Sequence, residues 1–172
     1  MTNTHTALLL IDLQRWIVGR DLAPSLGTEI AAQCARLRES LARSAATVIF
    51  VRHLRSDGAD GGALAPANDW TAEIAPNPGD SVVTKDGLDA FAGTDLAELL
   101  TTRGIHRVVI AGIATEHGVA VTARTAARLG FETQVVQDAV TGLQRAEHQA
   151  ALSSLATAGI QLVHADSYLS QN

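Results

Sequence analysis

Short runs of continuous apolar residues recur along this chain, and they constrain its fold more than any other feature. They lie at residues 7–11 (ALLLI), 48–51 (VIFV), 108–111 (VVIA), 133–136 (TQVV) and 160–163 (IQLV). Apolarity without strict alternation belongs to strands buried on both faces, the condition inside a parallel sheet. A weaker run, residues 81–84 (SVVT), sits between Pro78-Gly79 and Gly87. Parallel strands need crossovers, and helical patterns fall between the runs. Residues 28–44 space Ile30, Cys34, Leu37 and Leu41 along one face. Residues 95–102, 119–129 and 145–158 repeat the pattern, with Gly104, Gly130 and Gly159 placed to end each helix. The order β-α-β-loop-β-α-β-α-β-α-β predicts an α/β sandwich, a mostly parallel sheet with helices on both faces.

A chain of 172 residues suits one domain, expected over residues 1–172. Its 13 basic and 18 acidic residues give a formal net charge of −5, which argues against a nucleic-acid binder. The single cysteine makes neither an internal disulfide nor a Cys-rich zinc site, so nothing calls for an oxidising compartment. The first six residues, MTNTHT, lack the positive region of a secretory signal. No apolar stretch approaches the length of a membrane span. The expectation is a soluble, cytoplasmic protein without membrane or nucleic-acid partners. Residues 52–80 stand apart, rich in Gly, Asp, Pro and Asn, with Trp70 as the main apolar anchor. A connection that long reads equally as a functional lid or as a passive surface loop.

In an open α/β sheet, ligands bind outside the carboxyl ends of the strands, so the residues after each run carry the information. Asp12 follows the first, within Ile11-Asp12-Leu13-Gln14; Arg52 and His53 follow the second, and Lys85 the third. The fourth leads through Gly112-Ile113-Ala114-Thr115-Glu116-His117-Gly118-Val119 directly into a helix, and Asp138 follows the fifth. A carboxylate and an ammonium thus converge on a glycine-bearing helix start, whose free N–H groups favour anions.

These markers resemble the isochorismatase-like, or cysteine hydrolase, superfamily from about residue 7 to residue 163. The resemblance rests on Ile11-Asp12-Leu13-Gln14, on Thr84-Lys85 followed by Ala90-Phe91 and Thr94-Asp95-Leu96, and on Gly112-Ile113-Ala114-Thr115. It continues through Gly118-Val119, Thr122-Ala123-Arg124 and Gln137-Asp138-Ala139. It implies a three-layer α/β/α sandwich around a six-stranded parallel sheet and a cis peptide between Ile113 and Ala114. Most members use an Asp–Lys–Cys triad. Asp12 and Lys85 match the first two, and the cysteine position holds Gly118, so no covalent thiol intermediate forms there. Cys34, mid-helix among apolar residues, reads as a buried structural thiol. Glycine at that position also occurs in true isochorismatases, which hydrolyse a vinyl ether with the aspartate as proton donor, and in a bacterial subgroup sharing Thr122–Arg124. True isochorismatases tend to carry an aromatic residue where this chain has Ala114. The metal-binding branch carries Asp-x-His after the second strand; Val51-Arg52-His53 offers no such Asp, so neither a metal nor another cofactor is expected.

The resulting candidate site has Asp12, Lys85 and Gly118 as catalytic positions and Gln14, Arg52, His53, Ala114, Thr115 and His117 as substrate-binding ones. Several of these carry plainer readings. Arg52, His53 and Arg55 form either a carboxylate clamp or a solvated loop face. Glu116 and His117 either order a water or point away from the site. Thr115 reads more readily as a helix N-cap than as a ligand, Arg124 as an ion-pair partner, and Asp138 as a cap of the next turn. One tension concerns Asp12. A unit charge pair at 4 Å is worth about 4 kcal/mol at an effective dielectric near 20, so Lys85 favours ionised Asp12 and opposes its action as an acid. Burial or a substrate carboxylate has to raise it again. Two functions stay open: a cofactor-free hydrolase acting through Asp12, Lys85 and water on a small carboxylate-bearing metabolite, and a non-catalytic member that binds a small ligand or serves assembly. The resemblance also implies a homo-oligomer.

Overall fold

The computed structural model describes residues 5–169, so most of the N-terminal segment read above, residues 1–4, lies outside the described residues. In chain order the elements are β1 (Thr6–Ile11), α1 (Arg15–Val18), α2 (Gly27–Arg43), β2 (Thr47–His53), β3 (Ser81–Lys85), α3 (Leu96–Thr102) and β4 (Arg107–Ile113). A wide turn at Thr115–Val119 then leads into α4 (Ala120–Arg128), β5 (Glu132–Thr141), α5 (Arg145–Thr157), β6 (Gln161–Val163) and α6 (Asp166–Leu169). The six strands form one sheet in the order β3-β2-β1-β4-β5-β6. Every pairing is parallel.

β1 is buried along its whole length because it lies between two other strands and under helices on both faces. Leu8 and Leu10 point to the face covered by α2, where Ile30, Cys34, Leu37 and Leu41 form the predicted stripe. Ala7, Leu9 and Ile11 point to the opposite face, packing with Leu96 and Leu100 of α3, Ala123 of α4 and Leu155 of α5. Fully burying one such Leu or Ile side chain contributes about 1.5–3 kcal/mol, which is why a period of two on each face suffices to fix the register. At the start of α2, Glu29 Oε2 reaches back to accept from Leu26 N at 2.8 Å, satisfying one free donor of the first turn.

Three boundaries differ from the sequence reading. Arg52 and His53 belong to β2 itself, in register with Thr84 and Lys85. β5 runs on past residue 136 to Thr141, because its register against β4 shifts between Ile110 and Gly112 and an irregular stretch absorbs Gln137 and Asp138. Asp138 therefore lies within a strand rather than after one. The helix expected from residue 119 is preceded by the wide turn, in which His117 departs from helical geometry (φ −111°, ψ −110°).

The long connection between β2 and β3 is packed rather than free. Trp70 meets Phe50 edge-on at 5.2 Å between ring centroids, and Ile74 is buried in the same cluster. Arg15 N donates to Asp69 O at 2.9 Å, and the Arg15 and Asp69 side chains form an ion pair at 3.5 Å. No described helix is long and apolar enough to cross a membrane.

Candidate active site

The sheet order changes direction between β1 and β4, and the crevice beyond their carboxyl ends is where such folds bind ligands. Asp12 leaves β1 at that point with φ +52°, a left-handed turn that Asp tolerates better than most residues. Its N–H donates to Val51 O at 2.8 Å, which anchors the turn to β2. Lys85 ends β3, two strands from β1, a gap of about 10 Å at ordinary strand spacing. Its four-methylene stem spans that gap across the end of β2, and Nζ donates to Asp12 Oδ2 at 2.8 Å and to Gly87 O at 3.0 Å. Lys85 is 2% exposed and Asp12 7%.

Burial raises the Asp12 carboxyl above its ordinary value; the Lys85 charge and hydrogen bond, with a smaller contribution from His53, pull it down without reversing the shift. The tension noted from the sequence thus resolves in direction: burial outweighs Lys85 and raises the Asp12 carboxyl. Asp12 Oδ1 is buried without a hydrogen-bond partner, so one carboxyl oxygen is held by Lys85 and the other is uncommitted.

A pocket of about 340 Å³ opens above this pair. Asp12, Lys85 and Gly118 belong to its wall together with His53, His117 and Arg20; Trp16, Ile17, Leu88, Ile113, Ala114 and Leu143 supply its apolar surface. Gly118 sits where a Cβ would lie 3.3 Å from Asp12 Oδ2, 3.2 Å from Ile11 Cγ2 and 3.6 Å from Leu88 O. The peptide between Ile113 and Ala114 is cis. Just before it, Gly112 (φ +124°) pairs against Ile11 so closely that a Cβ would come within 2.2 Å of Ile11 O. Only glycine lets β4 deliver the turn this near to Asp12.

The structure brings Asp12, Lys85, Gly118, His53, Ala114 and His117 into this pocket and places the other three candidates elsewhere. Gln14 is fully buried outside its wall. Its amide accepts from His53 N at 2.7 Å and donates to His53 O at 2.9 Å, tying the β1 end to the β2 end. Arg52 turns to β3 and donates from Nε to Thr84 Oγ1 at 2.9 Å. Thr115 is buried, its Oγ1 hydrogen-bonded to His148 Nδ1 at 2.8 Å, and it makes no N-cap bond. Arg55 is exposed and paired with Asp57, so the proposed clamp at residues 52–55 reduces to His53. Arg124 donates to Ser154 Oγ at 2.7 Å rather than entering an ion pair. Asp138 does cap a turn, but a distant one, accepting from Ala165 N at 2.8 Å. Glu116 points inward: its Oε1 accepts from Leu143 N at 2.6 Å.

Sequence reasoning missed Trp16, Arg20, Leu88 and Leu143. The available signal for the first two was their spacing of four, directly after a strand end, which places them together on one turn. Cys34 is fully buried and does not belong to the pocket wall; burial pushes its thiol well up. Among the described residues, no three His, Cys, Asp or Glu side chains converge as a metal donor set.

Residues 6–167 match the isochorismatase domain family. The uncharacterized isochorismatase family protein YwoC of Bacillus subtilis is 35% identical over 161 residues, covering 86% of this chain and 83% of that protein. A streptothricin hydrolase of Streptomyces noursei is 36% identical over 137 residues, 77% of this chain but 48% of the longer relative. Among solved structures, an isochorismatase family protein from Burkholderia thailandensis superposes with a TM-score of 0.89 at 31% identity, covering 99% of this chain and 98% of that chain. The pyrazinamidase of Pyrococcus horikoshii, solved in complex with zinc, gives 0.84 at 26% identity over 93% of this chain and 99% of that chain. With the family domain spanning nearly its whole length and the α/β/α sheet in common, this chain belongs to the isochorismatase family of hydrolases.

Proposed function

We propose that this hydrolase works without a covalent enzyme intermediate, with Asp12 as proton donor and water as nucleophile, on a small carboxylate-bearing metabolite with a vinyl-ether or similarly activated bond. Gly118 stands at the family's nucleophile position and has no side chain to attack with. The observation that carries the reading is the state of Asp12: a carboxyl raised by desolvation on a residue that lines the pocket, with one oxygen held by Lys85 and the other buried without a partner.

On a vinyl ether, Asp12 gives its proton to the terminal alkene carbon, and the electron pair of the double bond forms the new C–H bond. The resulting oxocarbenium ion is attacked by water at the ether-bearing carbon, and the water's surplus proton returns to Asp12. Collapse of the hemiketal releases an alcohol and a carbonyl compound. Lys85 holds the carboxylate formed in the first step, with its donors already in place. The space beside Gly118 lets substrate or water approach Asp12 closely. Anionic substrate adds a further upward push on Asp12.

A screen of vinyl-ether and activated ester or amide carboxylates on wild type and Asp12→Asn tests this. Loss of about 100-fold or more in turnover for Asp12→Asn supports the assignment. Turnover carried by protonated Asp12 declines as pH rises through its raised pKa. Full activity in Asp12→Asn with an unchanged pH profile overturns it, and tight ligand binding by a wild type that turns over nothing favours the non-catalytic reading.

A further inference from the structure

The pocket holds one cation whose charge is not committed within the protein. Lys85 is almost wholly buried and donates to Asp12 and Gly87. Arg20 differs: it lines the pocket, and its guanidinium lies over the Trp16 ring with Cζ 5.9 Å from the centroid. Among the described residues, its side chain makes no ion pair or hydrogen bond. An aromatic face holds a guanidinium in position without occupying the in-plane N–H fork that recognises carboxylates.

The backbone carrying Arg20 is fixed at both ends. Val18 N donates to Gln14 O and Arg20 N to Ile17 O, at 2.9 and 3.2 Å. Past Arg20, Ala23 and Gly142 exchange N–H···O bonds of 3.0 and 3.1 Å, and Thr141 Oγ1 both accepts from Ser25 N and donates to Ser25 O. Thus the strap is stitched to the end of β5, beside Leu143 on the pocket wall. A receptor on fixed backbone loses less freedom when it binds.

We propose that Arg20, seated on Trp16, receives the substrate's carboxylate and makes this pocket selective for small carboxylic acids with an apolar body over their neutral analogues. The proposal rests on the reading above that the substrate bears a carboxylate, and it names the residue responsible. The apolar body lies among Trp16, Leu88 and Leu143, between Arg20 and Asp12.

The test is binding of simple probes to the full chain, followed by ligand-observed NMR: benzoate, phenylacetate and cinnamate against benzamide, phenylacetamide and cinnamamide. The expected result is a preference of about tenfold or more for the carboxylates in wild type, the scale of one charge-assisted hydrogen-bonded pair. Arg20→Met levels acid and amide; Arg20→Lys keeps part of the preference. Both variants melt with wild type, since the Arg20 side chain is exposed. Equal binding of acids and amides in wild type, no binding by any probe, or a preference that survives Arg20→Met overturns the proposal. None of these outcomes depends on turnover, so failure here is distinct from failure of the Asp12 assignment, which Asp12→Asn kinetics report.

Discussion

Gly118→Cys is the most informative single change. The backbone at residue 118 is not left-handed, so an L side chain is admissible, and the question is one of space. The new Cβ would lie 3.2 Å from Ile11 Cγ2 and 3.3 Å from Asp12 Oδ2. Ordinary carbon contacts begin near 3.5 Å, so two neighbours must each yield by a few tenths of an ångström. Overpacking of that kind costs about 1–3 kcal/mol, offset by about 0.4–1 kcal/mol from restricting the unfolded chain. The net is about 1 kcal/mol of destabilisation, a fall of about 3 °C in Tm for a chain this long. Thermal unfolding of Gly118→Cys beside Gly118→Ala separates the Cβ cost from that of the sulfur. Intact-protein mass after iodoacetamide treatment then reports where the thiol sits. Native wild type should resist labelling, because Cys34 is fully buried with its thiol shifted up, whereas Gly118→Cys should gain one adduct. Turnover of the wild-type substrate should fall at least tenfold, since the sulfur fills space beside Asp12. A variant that fails to fold, or one that folds and takes no label, would refute the idea that residue 118 faces the pocket and tolerates a side chain there.

Lys85→Met should make stability fall more steeply as pH rises than in wild type. The folded-state pKa of Asp12 is already raised, so its contribution weakens as pH climbs from the unfolded value through the folded one, and removing Lys85 widens that window; urea unfolding at pH 5 and pH 8 checks it. His148 has the opposite sign: burial holds its pKa below the ordinary 6.5, so stability should drop as pH falls below that value. His148→Gln should flatten that acid-side dependence in the same assay. Gly142→Ala would set a Cβ 2.3 Å from Glu116 Oε2 and should destabilise by about 1–3 kcal/mol. Adding Glu116→Ala should recover part of the loss, and a double-mutant cycle in denaturant measures the coupling.

The residues that were legible in the sequence are those whose environment is set by their own strand. β1 and β4 read correctly because both faces of each are covered, so their apolarity is continuous. Asp12 and Lys85 then followed from the rule that strand ends face the ligand. β5 was cut short because Gln137 and Asp138 interrupt its apolar run, and only pairing against β4 shows that Ala139, Val140 and Thr141 resume the same strand. Thr115 was misplaced because its partner, His148, lies on α5, and no local spacing announces a bond between a turn and the next helix but one. Arg20 was missed for a related reason. Its direction is decided by one short helix pinned to Asp69 and by a strap pinned to Gly142, contacts far apart along the chain.

The placement of the chemistry follows from topology more than from any one motif. After β1 the chain crosses to the face covered by α2; after β4, the adjacent strand, it crosses to the face covered by α4. Neighbouring strands that depart in opposite directions leave a crevice, and the first residues after each strand form its lips. Asp12 and Gly118 occupy those lips, 3.3 Å apart when measured from the carboxyl oxygen to the missing Cβ. Any sequence with this strand order makes the crevice. What this sequence adds is a lysine long enough to reach across β2, a glycine that puts no side chain against the carboxyl, and enough apolar packing that desolvation outweighs the lysine. Exposing the pair to water would remove that desolvation and bring the Asp12 carboxyl back toward its ordinary value. The same burial that makes this pair a weak contributor to stability is therefore what raises the Asp12 carboxyl, the shift on which its proposed role as proton donor depends.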